Sequence, residues 1–406
     1  MLFQTLDDKL ECVGLYYNNE LCFGVEGLPS DLSQTWKYTS YLREYDSIEY
    51  ANLYVGGKKI EEVVPEVLQD DWQDVRKKLT AFQRTLGIAK VNTRENCLYD
   101  LMPSRLLIEY CEVKNRVTSH ILENIPRPPR YKFLLSVCQM LEDISNRPLN
   151  LNTKKIKSYL GTAPENSPVN RLATAAPHIS YNQFGTKTGR LTTNPGSFPI
   201  LTLKKELRTV IEPHNDYFLE LDFNGAEARV MMGVLGMEQP DIDIHNFHKK
   251  EIFHSAMTRP EAKTAFFAWL YGSTSQETQR HGKKLEEFYD KDVVLDQYWD
   301  GKNIHTPYRK VIKNVGAHRA LNYIIQSTTA ELTLLQALKI DYLLRKSASA
   351  SYLSCIIHDA IVIDFKKEDE HLIPAIKKLM SSTNFGEFKI NISEGKNLGN
   401  LREAQD

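Results

Sequence analysis

Residues 217–235 read YFLELDFNGAEARVMMGVL, and the prediction of the fold starts from this stretch. Residues 217–223 are mostly apolar, which predicts a buried strand, and residues 226–235 have the periodicity of a helix. Asp222 comes at the end of the strand, where a carboxylate is costly unless another group pairs with it. The stretch therefore predicts a strand and a helix joined by a short connection, with Asp222 at the junction.

Further strands are predicted towards the end of the sequence. Residues 352–358 and 361–365 are two β-rich runs separated by a turn at Asp359, which predicts a hairpin, and 388–392 has the pattern of a last strand. Residues 245–300, between the two groups of strands, have a mostly helical pattern. Strands on both sides of a helical insertion predict an α+β fold in which one sheet carries helical lobes.

Asp359 is in the same situation as Asp222, because it lies at the tip of the hairpin IIHDAIVIDF. Two aspartates at strand ends can meet at the edge of one sheet even when they are far apart in sequence. A close pair of carboxylates is how proteins hold two Mg²⁺ ions for in-line phosphoryl displacement. For each aspartate alone, an ordinary turn or capping role is the simpler interpretation, and at this point both interpretations stay open.

The segment TRPEAKTAFFAWLYG, at residues 258–272, favours a functional interpretation. Thr258 and Glu261 form a capping-box pattern, which predicts a helix that begins near residue 259. Side chains spaced every four residues then stay on one sloping face of that helix: Arg259, Lys263, Phe267 and Tyr271. Two cations followed by two aromatics suit a triphosphate at one end and a base or sugar at the other. An amphipathic helix with both aromatics in the core and both cations in solvent is the alternative.

Composition restricts the class of protein. The 406 residues are 42% hydrophobic and 25% charged, which is average for globular proteins and excludes disordered and fibrous chains. The formal net charge is −1, so nucleic acid would have to be bound by local clusters of charge. The sequence shows no apolar run of transmembrane length, no secretory signal and no CxxC pair among its 6 cysteines. These features predict a cytoplasmic protein with reduced thiols and no membrane partner.

The first part of the chain is predicted to be mainly helical. Residues 10–25 predict two short strands around a turn at Asn18-Asn19. Helices are predicted from the spacing of apolar residues at 68–86, 104–122 and 131–144. Residues 150–176 are polar and interrupted by prolines, which predicts a hinge into the second half of the chain.

We call the four side chains on one face of the helix predicted to begin near residue 259 the stripe: Arg259, Lys263, Phe267 and Tyr271. The stripe resembles the nucleotide-binding helix in the fingers of family A DNA polymerases, the bacterial DNA polymerase I class. Six further blocks are similar to motifs of that family and follow the family's order over residues 145–406. They are HISYNQ at 178–183 with TGRL at 188–191, LELDFNGAEARV at 219–230, DIH at 243–245, RALN at 319–322 with Gln326, HD at 358–359, and SEGKN at 393–397.

The resemblance implies a right-hand polymerase fold, with an antiparallel β-sheet palm, helical fingers and a short helical thumb, preceded by a small N-terminal α/β region. The implied division is 1–95 for the N-terminal region, 96–175 for the thumb, 176–236 and 316–406 for the two parts of the palm, and 237–315 for the fingers. The N-terminal region would be a degenerate exonuclease-like remnant. It contains no Asp-x-Glu motif, so proofreading is not expected. So short a thumb implies low processivity unless a processivity or replisome partner clamps the DNA.

The resemblance also implies roles at the reacting centre. Asp222 and Asp359, with the backbone carbonyl of Phe223, would hold two Mg²⁺ ions, for which Mn²⁺ can substitute. The nucleotide-binding residues would be Arg259, Lys263, Phe267, Tyr271, Glu227 and His245, and Lys263 would also be catalytic. The two cations, assisted by His245, would bind the triphosphate. Phe267 would lie near the sugar and Tyr271 at the base of the templating pocket.

Two further roles follow from the same resemblance. Glu227 would exclude a ribose 2′-hydroxyl, and an exposed helix carboxylate is its ordinary alternative. The DNA contacts would be made by Arg190, Asn322, Gln326, His358 and Gln183. Contacts in the minor groove reach acceptors that are common to all base pairs, so they would test pairing geometry without reading sequence.

Two positions depart from the family's pattern. Ala360 follows His358-Asp359 where the family usually has Glu, and Gly225 stands where the family usually has an amide. The third acidic position is the least essential to metal binding by two aspartates, so activity is expected to survive. Gly225 is expected to loosen its turn.

The sequence as a whole predicts a compact, phage-type DNA polymerase. It would add dNTPs to a primer 3′-OH on a DNA template by two-Mg²⁺ phosphoryl transfer, in the cytoplasm of a bacterial or phage-infected cell. Its partners would be primer–template DNA and dNTPs. Three alternatives stay open. One is a single-subunit RNA polymerase-like enzyme, against which Glu227 argues. Another is a catalytically inactive polymerase-like DNA-binding module, against which both aspartates and the intact stripe argue. The third is a translesion or end-joining polymerase, which the motifs do not separate from a replicative one.

Overall fold

The computed structural model describes residues 55, 58–93, 96, 98–127, 129–160, 172, 174–273 and 275–404, together with short strands near the N-terminus. The chain divides into two compact units, Met1–Gln139 and Met140–Asp406. The turn predicted at Asn18-Asn19 and about half of residues 1–95, the region predicted to be exonuclease-like, lie outside the described residues. The finer division into palm, fingers and thumb stays a prediction.

The N-terminal unit combines a small sheet with helices. Its strands are β1 (Leu2–Thr5), β2 (Leu15–Tyr17), β3 (Glu20–Cys22) and β4 (Ser33–Gln34), in the order β3-β2-β1-β4. The antiparallel pairing of β2 with β3 confirms the two strands predicted within residues 10–25. Its helices are α1 (Gln69–Ile88), α2 (Leu98–Leu101), α3 (Ser104–Asn124) and the start of α4 (Tyr131–Asn146).

Helices α1 and α3 pack against each other because each has one apolar face. Trp72, Val75 and Leu79 of α1 are buried in one cluster with residues of α3 such as Val113 and Val117. The three helices predicted in this part of the chain are confirmed, and each observed helix extends about two residues further than predicted.

The C-terminal unit holds the remaining elements. Its helices are α5 (Thr153–Leu160), α6 (Ala226–Val234), α7 (Ile244–Phe247), α8 (Arg259–Leu270), α9 (Gln276–Phe288), α10 (Lys291–Tyr298), α11 (Ala317–Lys346) and α12 (Ile373–Ser381). A π-helical turn, His248–Ile252, follows α7. The helical pattern predicted for residues 245–300 is therefore confirmed. Within the described residues, no helix is both long enough and apolar enough to cross a lipid bilayer.

Short strand pairs surround one large sheet in this unit. The pairs are β5 (Asn150–Leu151) with β8 (Ile211–Glu212), β6 (Tyr181–Asn182) with β7 (Thr192–Thr193), β10 (Ile304–His305) with β11 (Val311–Ile312), and β14 (Ser382–Thr383) with β15 (Gly386–Glu387). The hinge predicted at 150–176 is wrong for residues 150–160, which form β5 and α5. Asn152 and Lys155 bind the carboxylate of Glu212 and attach this segment to the rest of the unit.

The large sheet has the strand order β12-β13-β9-β16-β17, and all its pairings are antiparallel. Its strands are β9 (Tyr217–Phe223), β12 (Tyr352–Ile357), β13 (Ala360–Phe365), β16 (Ile390–Gly395) and β17 (Arg402–Glu403). The predicted strand at 217–223 and the predicted hairpin are confirmed. The last strand begins two residues later than predicted, since Phe388 is a buried side chain that precedes the ladder.

Strand β9 lies at the centre of this sheet and has β13 and β16 as neighbours. Phe218, Leu219 and Leu221 of β9 are each no more than 1% exposed. Helix α11 packs against α6, α12 and β12, and α12 also contacts β9. Burial on both sides explains why the strand reads as an almost continuous apolar run. The observed architecture is the α+β arrangement that the sequence predicts.

Candidate active site

The connection between β9 and α6 places Asp222 and Phe223 at the end of the central strand. Gly225 follows with a φ of 70°, which is in the left-handed region that favours glycine. A Cβ atom at Gly225 would lie 2.3 Å from Cγ2 of Ile244, so the chain could not pack this closely with any other residue. The expectation that Gly225 loosens the turn is wrong, because this glycine is what allows a tight turn.

The hairpin between β12 and β13 brings Asp359 to the same edge of the sheet. Ala360, the first residue of β13, pairs directly with Asp222 of β9, so Asp359 lies one residue beyond that pair. His358 adopts a φ of 58°, which turns the chain sharply between the two strands. The two aspartates that the sequence places at strand ends are therefore neighbours in space.

The two carboxylates are mutually unfavourable. Burial, with the charges of Asp359 and Glu220, raises the pKa of Asp222 to about 7. Burial also raises the pKa of Asp359. Asn391 opposes the shift at Asp222 by a hydrogen bond to the carboxylate. A buried pair of this kind is relieved by a proton or a cation between its members.

The pair fits a divalent cation by charge and by chemistry. Within the described residues, no group of three or more His, Cys, Asp or Glu side chains is arranged to hold a metal ion. The side chains that could bind Mg²⁺ here are Asp222 and Asp359, and carbonyl oxygen, water and substrate phosphate would supply its other ligands. Mg²⁺ sites of this type use one or two carboxylates together with substrate phosphates.

Helix α8 begins as the sequence predicts. The hydroxyl of Thr258 accepts from the backbone N–H of Glu261, and the Glu261 carboxylate accepts from the backbone N–H of Thr258 at 2.7 Å. The face of α8 that enters the core carries Ala262, Phe266 and Leu270, each no more than 2% exposed. The alternative in which the aromatics of the stripe belong to the core is wrong, because Phe267 is half-buried and Tyr271 is 44% exposed.

Arg259 is the first side chain of the stripe and is bound by a carboxylate. Its Nε donates to Oδ1 of Asp243 at 2.9 Å, and its Nη2 donates to Oδ2 at 2.6 Å. Burial alone would raise the pKa of Asp243, but hydrogen bonds from Arg259 and Asn224 outweigh it and hold that pKa well below its usual range. Asp243 is therefore ionised at neutral pH.

Glu227 joins the stripe to the segment that carries Arg190. Its side chain is 5% exposed, so the alternative of an ordinary exposed helix carboxylate is wrong. Arg190 donates to Oε1 of Glu227, and the hydroxyl of Tyr271 donates to Oε2 at 2.9 Å. Burial raises the pKa of Glu227, and Arg190 opposes that rise. The last residue of the stripe is thereby fixed to the first turn of α6.

His245 lies at the inner wall of the site and is 2% exposed. Burial lowers its pKa to about 4, so at neutral pH it is an uncharged imidazole. Its ring contacts those of Phe267 and His248. His248 lies deeper in the fold and contacts the hydroxyl of Tyr289 through Nε2 at 2.6 Å. His245 can therefore offer a hydrogen bond to a ligand, while positive charge comes from Arg259 and Lys263.

One cavity of about 350 Å³ brings most of the predicted site residues together. Its lining includes Asp222, Phe223, Glu227, His245, Arg259, Lys263, Phe267, Tyr271, Arg190, His358 and Asp359. Gln183, Asn322 and Gln326 are not part of this lining. Gln183 follows β6, and Asn322 and Gln326 lie one turn apart on α11, where Nε2 of Gln326 is 3.5 Å from Oδ1 of Asn322.

Several residues that shape this cavity were not assigned a role by the sequence. Asn391 on β16 pairs with Asp222 across the sheet, and Asn224 lies in the same lining. Arg229 is fully buried and donates to the backbone carbonyls of Asn224, Pro240 and Ile242. A buried arginine at this position binds the connection that leads to Asp243. Its sequence signal was a cation within a mostly apolar helix that also carries Glu227.

Comparison with known proteins finds DNA polymerases I among the proteins that this chain is similar to. The chain is 24% identical to DNA polymerase I of Chloroflexus aurantiacus over 277 residues, which are 57% of this chain and 29% of that protein. It is 24% identical to DNA polymerase I of Borreliella burgdorferi over 321 residues, which are 66% of this chain and 35% of that protein. The chain thus matches about a third of the length of these relatives. No protein-family model matches it.

The fold also has a counterpart among solved structures. The polymerase domain of Pol1 from M. smegmatis, solved in complex with a DNA primer-template and a dNTP, superimposes with a TM-score of 0.57. The match covers 73% of this chain and 76% of that chain, at 13% sequence identity. The similarities in sequence and in fold together confirm the resemblance to family A DNA polymerases that the seven sequence blocks carry.

Proposed function

We propose that this chain is a template-directed DNA polymerase that adds dNTPs to a primer 3′-OH. One observation carries the proposal: two half-buried carboxylates at one edge of the sheet, Asp222 and Asp359, share a cavity with the cations and aromatics of α8. Phosphoryl transfer from a nucleoside triphosphate needs a cation site beside a grip on the phosphates and a platform for the base. This cavity offers all three within one unit of the chain.

The acidic side of the cavity suits two Mg²⁺ ions, with Mn²⁺ as a substitute. When bound there, the metal lowers the pKa of the primer hydroxyl and stabilises the charge that develops at the α-phosphate. Asp222 and Asp359 would hold it, with the backbone carbonyl of Phe223. Their raised pKa values support this assignment, since a carboxylate pair that resists ionisation gains most from a cation.

The basic side of the cavity suits the triphosphate. Arg259 and Lys263 are one helical turn apart on the exposed side of α8, and both line the cavity. Phe267 would support the sugar and Tyr271 the base pair, while neutral His245 would donate a hydrogen bond to a phosphate oxygen. Lys263 is the residue of this set that we place in the chemical step, because a flexible ammonium can follow the charge on the leaving phosphate.

The choice of sugar is assigned to Glu227. Its carboxylate is buried and bound by Arg190 and Tyr271, so the side chain is held in one position beside the nucleotide. A ribose 2′-hydroxyl against this side chain would be excluded, which favours dNTPs over NTPs. This arrangement is the observation that speaks against the RNA polymerase-like alternative. The ratio of dNTP to NTP incorporation decides between the two.

DNA would be held at the mouth of the cavity. Arg190 and His358 belong to its lining, and we extend the DNA contact to Gln183 and to Asn322 and Gln326 on α11. Support for a primer–template comes from the Pol1 domain of similar fold, which was solved with one. Amide and cationic side chains of this kind reach the minor-groove acceptors that all base pairs share.

Other parts of the proposal concern the chain around the site. We place the palm in residues 176–236 and 316–406, the fingers in 237–315 and a short thumb in 96–175. We propose that residues 1–95 carry no proofreading activity, because they contain no Asp-x-Glu. The short thumb is also our reason to propose a processivity partner. Removal of an unpaired primer end tests for proofreading, and the extension length per binding event measures processivity.

Extension of a labelled primer–template with Mg²⁺ and dNTPs tests the proposed function. The wild type is expected to extend stepwise, while Asp222→Asn and Asp359→Asn are each expected to lose at least about a hundredfold in rate. DNA binding should be unchanged in both variants, since neither replaces a cation. DNA binding by the wild type without any extension would favour the inactive module instead.

A further inference from the structure

We infer that Asp243 is a positioning residue for nucleotide binding, which aims the guanidinium of Arg259 at the triphosphate. The inference rests on the proposed function, because it assigns a triphosphate to the cavity. It goes beyond that function by giving a role to a carboxylate that would otherwise oppose the binding of an anion.

The contact between the two side chains is two-pronged. Nε and Nη2 of Arg259 donate to Oδ1 and Oδ2 of Asp243 at 2.9 and 2.6 Å. A guanidinium has five N–H donors in a rigid plane, so a contact through two of them fixes the direction of the others. The donors that remain are those of Nη1 and one of Nη2. Arg259 belongs to the lining of the cavity, and we assign these remaining donors to the triphosphate.

Asp243 is itself held from two other directions. Its Oδ1 caps α7 by accepting from the backbone N–H groups of His245 and Asn246, at 3.1 and 2.9 Å. Its Oδ2 accepts from Nδ2 of Asn224 at 2.9 Å. Asn224 is two residues beyond Asp222 in the chain, and its Oδ1 accepts from the backbone N–H of Ile244 at 2.8 Å. One carboxylate thus connects the metal-binding end of β9, the helix of His245 and the start of α8.

The position of Asp243 distinguishes it from a ligand of the nucleotide. Its side chain is 18% exposed against 45% for that of Arg259, and it is absent from the cavity lining that includes Arg259. Lys263, one turn further along α8, forms no ion pair with a carboxylate in the described part of the chain, and its Nζ lies 6.0 Å from the ring centre of Phe267. Arg259 is therefore the cation with a fixed direction, and Lys263 is the one that can move.

Asp243→Asn keeps the capping role, because asparagine caps a helix as well as aspartate does. The variant removes the charge and the acceptor Oδ2, to which both Arg259 and Asn224 donate. The Arg259→Ala background described below separates the loss at Arg259 from the loss at Asn224. The matched control is Asp290→Asn. Asp290 caps α10 by accepting from the backbone N–H of Val293 at 3.3 Å and does not line the cavity.

The experiment measures binding and turnover separately. Calorimetry reports the Kd of Mg²⁺·dATP for protein bound to a dideoxy-terminated primer–template with thymine as the templating base. Single-nucleotide extension reports kcat and KM on the unblocked primer. Asp243→Asn is expected to raise the Kd and the KM about tenfold, with kcat changed less than about threefold, because a misdirected cation weakens binding before chemistry. Asp290→Asn is expected to match the wild type.

A double-mutant cycle on the Kd distinguishes a positioning role from a merely structural one. In an Arg259→Ala background, Asp243→Asn is expected to change the Kd less than about twofold, because the group through which it acts is gone. An equal tenfold loss in both backgrounds would overturn the inference, and so would a lower Kd for Asp243→Asn alone, which would mean that the carboxylate obstructs Arg259. A wild type that binds dATP but does not extend the primer would contradict the proposed function only. A wild type that does not bind dATP would overturn both.

Discussion

Asp222 has the least favourable electrostatic environment of the residues assigned to the site. Burial and the charges of Asp359 and Glu220 raise its pKa from 3.8 to about 7. In the absence of a cation, the folded protein binds a proton here between about pH 4 and pH 7 that the unfolded chain releases. Stability from this group is therefore lost as pH rises through that window, and the cost is complete above pH 7.

Asp222→Asn is accordingly expected to stabilise the metal-free protein at pH 8. The expected gain in the free energy of unfolding is on the order of 1–2 kcal/mol, because a buried charge is removed while its shape is kept. At pH 4 the variant and the wild type should differ little, since the carboxylate is already protonated. Denaturant unfolding in a chelator at the two pH values measures the difference.

Added Mg²⁺ provides the control for this prediction. At pH 8 it should raise the melting temperature of the wild type, because a cation relieves the repulsion, and it should raise that of Asp222→Asn much less. A variant that is less stable than the wild type at pH 8 would mean that Asp222 has a stabilising partner in the fold and is not held for a cation.

Local patterns were sufficient to predict the elements that carry the site. The strand at 217–223 was predictable because both faces are buried, and the start of α8 because Thr258 and Glu261 lie three residues apart. The last strand was shifted because Phe388 is apolar without being in the ladder, whereas Asn391 is polar and pairs with Asp222. The pattern of apolar residues in one sequence indicates which side chains are buried, whereas the ends of a strand depend on which residues pair with the neighbouring strand.

The long-range contacts of the same elements were not predictable. Nothing within residues 217–235 indicates that Arg229 would bind the carbonyls of Pro240 and Ile242, or that Asn224 would bind Asp243. Gly225 could be recognised as a departure from the family's pattern, but its need for space became evident only with Ile244 beside it. These contacts join segments that each look ordinary in isolation.

The turn between β9 and α6 gives a prediction at the scale of one element. Gly225→Ala is expected to cost about 2–4 kcal/mol in the free energy of unfolding, because the new Cβ meets both a positive φ and the side chain of Ile244. Gly236→Ala is the matched control. Gly236 also has a φ of 70°, but a Cβ there has nothing within 4 Å, so only the backbone cost of about 1–2 kcal/mol applies.

Denaturant titration of the two variants measures this difference. We expect Gly225→Ala to be less stable than Gly236→Ala and to lose dNTP binding as well, since its turn carries Asp222 and Asn224. Equal destabilisation of both variants would contradict the close packing of Ile244 against the turn.

At the scale of the whole molecule, the C-terminal unit is held together by contacts far from the cavity. Arg345 of α11 donates through Nε to Asp341 at 2.6 Å and through Nη2 to Asp143 of α4. The Asp143 side chain is 3% exposed and that of Arg345 is 29% exposed, so the carboxylate is buried while the guanidinium still reaches water. Helix α4 contains the boundary between the two compact units, and this contact attaches its C-terminal half to α11.

Arg345→Met is expected to lower the free energy of unfolding by about 1–3 kcal/mol, because it removes one cation from the buried carboxylate of Asp143 and the half-buried carboxylate of Asp341, beside which Arg147 remains. Lys346→Met is the control, since Lys346 extends over the ring of Tyr342, which is 66% exposed, and should change stability by less than about 0.5 kcal/mol. Thermal unfolding of both variants measures the effect. A double variant, Arg345→Met with Asp143→Asn, that is more stable than Arg345→Met alone would support the ion pair. A double variant that is less stable than Arg345→Met alone would contradict it.

Template-directed synthesis in the cavity between the large sheet and α8 is tested by single-nucleotide incorporation. Four primer–templates that differ only in the templating base are each offered the four dNTPs separately with Mg²⁺. We expect one dNTP to be incorporated on each template, this nucleotide to be the complementary one, and Asp359→Asn to abolish the reaction. Incorporation of the same nucleotide on all four templates, or none on any of them by protein that binds the DNA, would contradict template-directed synthesis.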